Sequence, residues 1–372
     1  MELSLGERRV GGGRPCLIAA EAGSAHRGDL ARGLELVEAA AACGAGCVKF
    51  QAVLAEEIVH PLTGVVKLPG GKVPLYRRFK ELERGPEFYG RLKERAEARG
   101  LLFLCSAFGM GSARMLRSLG VRAIKIASPE LNHYPLLEEV AGYGIPLILS
   151  TGVSTLGDIE RALAVVGSNC LLLHCVTAYP APEEEYNLRL IPNLEAVFGL
   201  PVGVSDHSLD PLLVPALAVL AGACLVEKHF TLDPGGGGLD DPIALDPAAF
   251  ALMAAEIRRL EGMSRQEAER WLEDRYGTQR IARVQGDGVK RLAASERANY
   301  RRSSRSLHAL AAIAAGDEIT ADKVCVVRSE KNLSPGLGPE HLPAILGRLA
   351  QKAIPAGEGI TWDHLLADAP GR

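Results

Sequence analysis

The sequence lacks the features that mark secreted, membrane-bound or nucleic-acid-binding proteins. Among its 372 residues, no apolar run is long enough to span a membrane, and residues 1–15 lack the apolar stretch of a signal peptide. The 42 basic and 45 acidic residues leave a net charge of only −3. We therefore expect no nucleic-acid partner and no membrane partner, since neither a basic field nor a basic amphipathic segment is present.

A disulfide framework is also lacking. The chain has eight cysteines but no C-x-x-C pair. Six of the eight lie in or beside apolar runs, where cysteine is typically a small buried residue. These six are Cys16, Cys47, Cys105, Cys170, Cys175 and Cys224. This usage predicts a reducing, cytoplasmic setting.

One pattern of segments repeats from residue 16 to about residue 260. A short apolar run is followed by an amphipathic or Ala/Leu-rich segment, which often ends at a glycine. The runs do not alternate with polar residues, which is typical of parallel strands buried on both faces. The predicted strands are Cys16–Ala22, Cys47–Gln51, Leu101–Ser106, Ala123–Ser128, Pro146–Ser150, Cys170–Cys175, Pro201–Ser205 and Cys224–His229. The predicted helices are Leu30–Cys43, Glu87–Arg99, Ala113–Leu119, Pro135–Tyr143, Leu156–Val166, Leu188–Phe198, Leu212–Leu220 and Phe250–Leu260.

Eight strands and eight helices favour a (β/α)8 TIM barrel. A doubly wound open sheet is disfavoured by this count and by the lack of a G-x-G-x-x-G turn after the first strand. One connection, Val53 to Pro86, is too long for an ordinary loop and would lie on the catalytic face of a barrel. We predict a lid or substrate loop there, with a disordered insertion as the alternative.

The repeating pattern of segments ends after the predicted barrel. The segment 263–302 is charged and poorly periodic, so we predict a linker with some helix between a catalytic domain, 1–262, and a small β-rich domain, 303–372. Short β-like pieces in the last region alternate with turn signals. So small a domain buries little surface by itself and should dock on a partner.

Two histidines end neighbouring predicted strands, on the face where barrels carry their active sites. His207 follows Val204-Ser205-Asp206, and His229 follows Glu227-Lys228. Parallel neighbours end on the same side of a sheet, so the two imidazoles should face a common space and could hold a metal ion. The alternative for each is a hydrogen-bonded surface histidine.

Two lysines lie inside apolar strands, where an unpaired ammonium is costly. With Ser128, Thr177 and Ser205, Lys49 and Lys125 could cradle a phosphate or carboxylate. Alternatively they could form a structural network of ion pairs, and the two interpretations are compatible. The carboxylates available for that network are Glu21, Glu130 and Glu227.

Taken together, the polar motifs at the strand ends resemble those of the sialic acid synthases, which include the N-acetylneuraminate, legionaminic acid and pseudaminic acid synthases. The matching motifs are Ala20-Glu21-Ala22-Gly23, Val48-Lys49-Phe50-Gln51, Ile124-Lys125-Ile126-Ala127-Ser128-Pro129-Glu130, Leu149-Ser150-Thr151-Gly152, Leu173-His174-Cys175, Gly203-Val204-Ser205-Asp206-His207-Ser208 and Glu227-Lys228-His229-Phe230. The C-terminal region is similar to the antifreeze-like (SAF) domain of that family, through Arg305-Ser306-Leu307, Gly316-Asp317, Arg328 and Ile345-Leu346-Gly347-Arg348.

The resemblance implies a reaction in which phosphoenolpyruvate condenses with the open-chain aldehyde of an N-acylated hexosamine. The products are a 2-keto-3-deoxy nine-carbon acid and phosphate. A divalent metal, Mn²⁺ in the first place and otherwise Mg²⁺ or Co²⁺, polarises the aldehyde. The resemblance also implies a domain-swapped homodimer, in which Arg328 of one chain reaches the barrel of the other and contacts the N-acyl group.

The resemblance assigns roles to particular residues. His207 and His229 are the implied metal ligands and belong to the catalytic set, together with Glu21, Lys49 and Asp240. Glu21 and Asp240 would position water or substrate hydroxyls. The implied substrate-binding residues are Gln51, Ser106, Lys125, Ser128, Glu130, Thr177, Tyr179, Ser205 and Arg328.

Departures from the family pattern fall mainly on the sugar side, so the reaction class is better defined than the acceptor. They include Ala25, Ala127, Thr177 and Ser329, and the position of Asp240 depends on a gapless alignment. The acceptor could be N-acetylmannosamine or a diacetamido-trideoxyhexose. Two further alternatives are a 3-deoxy-sugar-phosphate synthase, with Arg77, Arg78 and Lys80 as a second phosphate site, and a non-catalytic sugar-binding barrel.

Overall fold

The computed structural model describes residues 1–68 and 71–366. Two residues of the long segment between Val53 and Pro86, and the last six residues of the predicted domain 303–372, therefore lie outside the described residues. Of the helices in the described part of the chain, none is long and apolar enough to cross a bilayer.

Eight parallel strands close into a barrel, so the predicted fold class is confirmed. The strands of the described residues are β1 (Glu2–Leu5), β2 (Arg8–Gly11), β3 (Leu17–Gly23), β4 (Cys47–Gln51), β5 (Val65–Leu68), β6 (Gly71–Pro74), β7 (Leu102–Ala107), β8 (Ile124–Ile126), β9 (Leu147–Ser150), β10 (Cys170–Cys175), β11 (Val202–Asp206), β12 (Leu225–His229), β13 (Arg305–Ala309) and β14 (Val324–Arg328). The barrel order is β3-β4-β7-β8-β9-β10-β11-β12, and β12 pairs with β3 to close it.

A helix packs outside the barrel after each barrel strand, and further helices lie in the segment between Val53 and Pro86, after the barrel and in the C-terminal domain. The helices are α1 (Leu30–Ala42), α2 (Ala55–Ile58), α3 (Leu75–Leu82), α4 (Pro86–Ala98), α5 (Met110–Ser118), α6 (Tyr134–Ala141), α7 (Leu156–Val166), α8 (Leu190–Phe198), α9 (Leu213–Leu220), α10 (Pro247–Glu261), α11 (Arg265–Tyr276), α12 (Thr278–Gln285) and α13 (Leu342–Ile345). Seven of the barrel helices are followed by the glycines expected from the sequence, which all adopt positive φ.

The N-terminal end of the barrel is closed by a hairpin that the sequence analysis did not predict. Strands β1 and β2 pair antiparallel, and Leu3, Leu5 and Val10 pack with the inward-facing residues of the barrel strands. The interior below the site is therefore a packed apolar core rather than a channel.

The segment between Val53 and Pro86 is folded over its described part. It forms α2, the β5–β6 hairpin and α3, and it has a small core of its own that includes Ile58, Val66 and Leu75. The alternative of a disordered insertion is wrong for this part of the chain, because burial of these side chains holds it on the barrel.

The segment predicted as a linker contains two full helices. The apolar faces of α11 and α12 are buried in the main core through Ala268, Leu272, Ile281 and Val284. Beyond it, β13 and β14 form an antiparallel pair with a separate apolar cluster. One of the short β-like pieces of this region, Ala353–Ile354, forms only a single bridge, between Ile313 and Ile354. The domain boundaries themselves stay a prediction.

Candidate active site

The register of the barrel strands brings the predicted residues side by side. Side chains alternate between the two faces of a strand, so residues two apart point to the same side. Lys49 lies opposite Glu21 on β3, and Glu21 lies opposite His229 on β12. On the other side Gln51 lies opposite Ser106, which lies opposite Lys125. These residues all face the interior at the C-terminal mouth of the barrel.

A cavity of about 240 Å³ opens at this mouth. Twelve of the predicted site residues line it: Glu21, Lys49, Gln51, Ser106, Lys125, Ser128, Tyr179, Ser205, His207, His229, Asp240 and Arg328. The other two predicted residues, Glu130 and Thr177, lie behind its wall. Ser150, Cys175 and Glu330 also line the cavity and were not in the predicted set. A strand-end hydroxyl or thiol, as at Ser150 and Cys175, gives too weak a signal in the sequence, and Glu330 lies in the C-terminal domain far from the barrel strands in sequence.

Lys49 and Lys125 have different partners. The ion-pair network expected from sequence therefore applies to Lys49, and the anion site to Lys125. The Lys49 ammonium lies 2.9 Å from Glu21 Oε2 and 3.0 Å from Glu227 Oε2, all three side chains being buried. Burial opposes the charge of Glu227, but Lys49 and Lys125 lower the pKa of this carboxyl to about 2. Lys49 is therefore part of an ion-pair network.

Lys125 is the cation left for a ligand. Its ammonium donates to the Ser150 hydroxyl at 2.6 Å and to the Ile126 carbonyl at 3.1 Å. Within the described residues it makes no ion pair with a carboxylate. Burial lowers the pKa of this group to about 8. A buried ammonium whose hydrogen-bond partners are neutral is suited to bind an anionic ligand.

Three polar side chains converge around Gly23, where the chain leaves β3 with a φ of +50°. A Cβ there would lie 3.1 Å from Glu21 Oε1, 3.1 Å from Gln51 Nε2 and 3.6 Å from Asp240 Oδ2. Gln51 also donates to Glu21 at 2.9 Å. Burial raises the pKa of Glu21 to about 7 and also raises that of Asp240. Asp240 thus lies with the strand-end residues despite its distant position in sequence.

His207 and His229 face each other, with ring centroids 5.3 Å apart. Nδ1 of His207 donates to the Val176 carbonyl at 2.8 Å, so Nε2 is the ring nitrogen that could bind a metal. Burial and the adjacent His207 lower the pKa of His229. No group of three or more His, Cys, Asp or Glu in the described residues forms a complete metal site. Two imidazoles beside Asp240 nevertheless fit a divalent ion that keeps open positions for a substrate.

The residues next to these histidines point the other way. Asp206 and Lys228 lie outside the barrel wall, where both are fully buried and the ammonium lies 2.6 Å from Asp206 Oδ2. Lys228 also donates to the Ser208 carbonyl at 2.5 Å. This pair joins β11 to β12 immediately beside the two imidazoles. His174 on β10 also faces outward, and its Nε2 lies against the Tyr186 carbonyl.

A second carboxylate network closes the cavity from the C-terminal domain. Glu130 Oε1 accepts from Arg305 at 2.8 Å and from Arg328 Nε at 3.0 Å. Arg328 belongs to β14 and lies over the barrel of its own chain. The expectation that Arg328 reaches the barrel of a second chain in a domain-swapped homodimer stays a prediction.

The outer wall of the cavity is apolar. It is formed by Val53, Ile58, Leu75 and Phe79 from the segment between Val53 and Pro86, and Leu239 packs against the same cluster. The side chains predicted as a second phosphate site do not reach this wall as free charges, because they pair with carboxylates in or near α3: Arg77 and Arg78 with Glu81, and Lys80 with Glu56 and Glu83.

Glu296 supports the wall from the segment predicted as a linker, and sequence reasoning missed it. Its Oε1 accepts from the backbone N–H groups of Val153 and Thr177, both at 2.7 Å. The neighbouring N–H of Gly152 donates to the Ser128 hydroxyl at 3.0 Å. Glu296 therefore holds the loops that follow β9 and β10 in the positions that orient Ser128.

Comparisons with known proteins show the family to which the chain belongs. The sequence pattern of the NeuB family matches residues 36–269, and that of the SAF domain matches residues 304–366. The chain is 36% identical to an uncharacterized protein of Methanocaldococcus jannaschii, over 99% of each chain. It is 32% identical to the N,N'-diacetyllegionaminic acid synthase of Legionella pneumophila, over 97% of this chain and 99% of the relative. The crystal structure of the spore coat polysaccharide biosynthesis protein SpsE of Bacillus subtilis superposes with a TM-score of 0.83 at 32% identity, covering 99% of this chain and all of the other.

Proposed function

Because the chain belongs to the NeuB family, we propose that it condenses phosphoenolpyruvate with the open-chain aldehyde of an N-acylated hexosamine. The products are a 2-keto-3-deoxy nine-carbon acid and phosphate. Lys125 carries this proposal, since it is a buried cation without a carboxylate partner among the described residues and opens on the same cavity as His207 and His229. A non-catalytic sugar-binding barrel would have no use for this combination of anion and metal donors.

Phosphoenolpyruvate is assigned to the lysine side of the cavity. Lys125 and the hydroxyls of Ser106, Ser128 and Ser205 offer a cation and three donors to its phosphate and carboxylate. Lys49 is already compensated by two carboxylates, so it contributes its position and hydrogen bonds more than net charge. Glu21 and Asp240 are assigned to hold water or substrate hydroxyls over the reacting carbons.

His207 and His229 would hold the divalent metal, for which we propose Mn²⁺. When bound, the metal supplies Lewis-acid polarisation of the acceptor aldehyde. The protein fixes the two donor atoms through the Val176 carbonyl at His207 and through the buried Asp206–Lys228 pair beside them. Tyr179 stacks on His207 with ring centroids 4.4 Å apart and shields that imidazole from solvent.

The apolar outer wall favours a diacetamido-trideoxyhexose as the acceptor. A C6 methyl group gains from contact with Leu75 or Phe79, whereas a C6 hydroxyl or phosphate loses hydration there. Glu330 lines the same region and would repel a phosphate. The Legionella relative, by its name, makes a diacetamido product. N-acetylmannosamine is the second candidate, and the sugar-phosphate acceptor is the least compatible with this wall.

The direct test is phosphate release from phosphoenolpyruvate in the presence of Mn²⁺ and one candidate acceptor at a time. We expect release with 6-deoxy diacetamido hexoses, weaker release with N-acetylmannosamine, and none with arabinose 5-phosphate. Product mass then identifies the acid. If none of the three acceptors supports release, the synthase and the sugar-phosphate alternative are both wrong.

The metal assignment has a separate test. His207→Ala should abolish Mn²⁺ binding and phosphate release while far-UV circular dichroism and thermal unfolding show a folded chain. His341→Ala is the matched control, because His341 is a half-buried histidine of the C-terminal domain that does not line the cavity. Normal turnover by His207→Ala would refute the assignment. The cytoplasmic setting also stays a prediction, as does an exchange of C-terminal domains in a dimer.

A further inference from the structure

Arg305 is fully buried although it carries a permanent charge. It begins β13, the first strand of the C-terminal domain, and its side chain enters the barrel mouth. Nη2 donates to Glu130 Oε1 at 2.8 Å and to the Phe108 carbonyl at 2.8 Å. Nη1 donates to the Ile58 carbonyl at 3.3 Å and also contacts the Glu57 carbonyl.

These acceptors belong to separate loops that surround the cavity. Glu57 and Ile58 end α2, Phe108 follows β7, and Glu130 lies in the turn after β8. A guanidinium presents its donors in a rigid planar fork, so one side chain fixes the mutual positions of all three loops. Ile58 and Phe108 line the cavity, whereas Arg305 does not.

Arg305 also sets the position of Arg328 through a shared carboxylate. Glu130 is fully buried and its Oε1 accepts from both guanidiniums. Glu330, which lines the cavity with Arg328, is the second carboxylate near the two arginines. Both Nη atoms of Arg305 already bond to protein groups, and its remaining Nε is buried without a partner. Arg328, in contrast, lines the cavity beside the apolar wall and Glu330, so the position of Glu130 sets where this guanidinium meets a ligand.

We propose that Arg305 is a positioning residue that shapes the acceptor side of the cavity, by holding Glu130, and through it Arg328, against the loops that carry Ile58 and Phe108. This inference rests on the proposed function for the identity of the acceptor. It predicts that disturbing Arg305 weakens acceptor binding while leaving the phosphoenolpyruvate side, built on Lys125 and Ser128, nearly unchanged. A merely structural Arg305 would lower stability and leave both Michaelis constants alone.

The experiment uses Arg305→Lys in the full chain, with KM measured separately for each substrate. Lysine keeps the charge but offers its donors from one point, so it cannot serve Glu130 and the Ile58 side together. We expect the acceptor KM to rise about tenfold, as for loss of a hydrogen bond to a charged group, and the phosphoenolpyruvate KM to stay within about twofold. Arg302→Lys is the matched control, because Arg302 is exposed and lies three residues earlier.

A second variant keeps the test informative if lysine is accommodated. In Arg305→Ala, millimolar methylguanidinium should restore part of the lost acceptor kcat/KM, and it should not act on the wild type. Unchanged acceptor KM in Arg305→Lys, or no rescue of a folded Arg305→Ala, would overturn the inference. If the wild type itself releases no phosphate with any acceptor, it is the proposed function that fails.

Discussion

Replacing Lys228 with methionine should destabilise the protein by about 3–5 kcal/mol, because it leaves Asp206 as a buried charge without its cation. Both side chains are almost completely inaccessible, and the ion pair is 2.6 Å long. Methionine has a similar length and can fill the space of the lysine stem, so little of the loss should come from a cavity.

The size of this loss of stability depends on the hydrogen bonds that Asp206 keeps in Lys228→Met. Its Oδ1 still accepts from the Ser208 N–H at 2.8 Å, but Oδ2 loses its ammonium partner. The Ser208 carbonyl loses a donor as well. A second substitution, Asp206→Asn, removes the stranded charge and keeps an oxygen for Ser208. The double variant Lys228→Met/Asp206→Asn should therefore recover at least about 2 kcal/mol relative to Lys228→Met alone.

Urea unfolding of the wild type, both single variants and the double variant gives the coupling energy. The exposed pair Arg265–Glu269, with side chains 76% and 46% accessible, is the control. Arg265→Met should change the free energy of unfolding by less than about 0.5 kcal/mol. A loss under about 1 kcal/mol for Lys228→Met, or strictly additive single effects, would refute the reasoning that burial makes this pair costly to break.

Three other measurements follow from the structure. Burial, aided by Arg84, lowers the pKa of His26 to about 4. Because the pKa of histidine in the unfolded chain is about 6.5, the unfolded chain takes up the proton first as pH falls, and the free energy of unfolding declines below about pH 6.5. In urea titrations, His26→Asn should remove about 2 kcal/mol of the decline between pH 7 and pH 5. Lys125→Ala should raise the phosphoenolpyruvate KM at least about tenfold and leave the fold intact, whereas an unchanged KM would place the anion elsewhere. Mixed Arg328→Ala and Lys49→Ala chains should regain activity if C-terminal domains are exchanged, while no gain in a confirmed heterodimer would support the single-chain contact seen here.

Much of the barrel could be predicted because its signals are local. A buried parallel strand is an uninterrupted apolar run, and a helix ends where a glycine can adopt positive φ. The same local period predicts which residues face inward: Glu227 and His229 are two apart, as are Lys49 and Gln51, and the structure places each pair on the same face. His174, one residue beyond the inward-facing Leu173, points outward for the same reason.

The residues that support the site could not be predicted from local sequence patterns. Glu296 bonds to a loop 143 residues earlier, and Arg305 bonds to a carboxylate 175 residues earlier. Neither residue has a local pattern that distinguishes it from a solvated charge. The N-terminal hairpin was missed as well, because its two short strands carry few apolar residues and gain their burial only against the end of the barrel.

The sequence alone therefore determined the barrel, the family resemblance and the set of side chains that meet at its mouth. The periodicities of strands and helices, 2 and 3.6 residues, are local properties of the sequence. Tertiary structure decided how the charges are shared. Lys49 is compensated by Glu21 and Glu227, Lys125 is left for a ligand, and Glu130 joins Arg305 to Arg328. Coulombic energies depend on distance and burial in three dimensions, so only the packed barrel with its C-terminal domain fixes these partners.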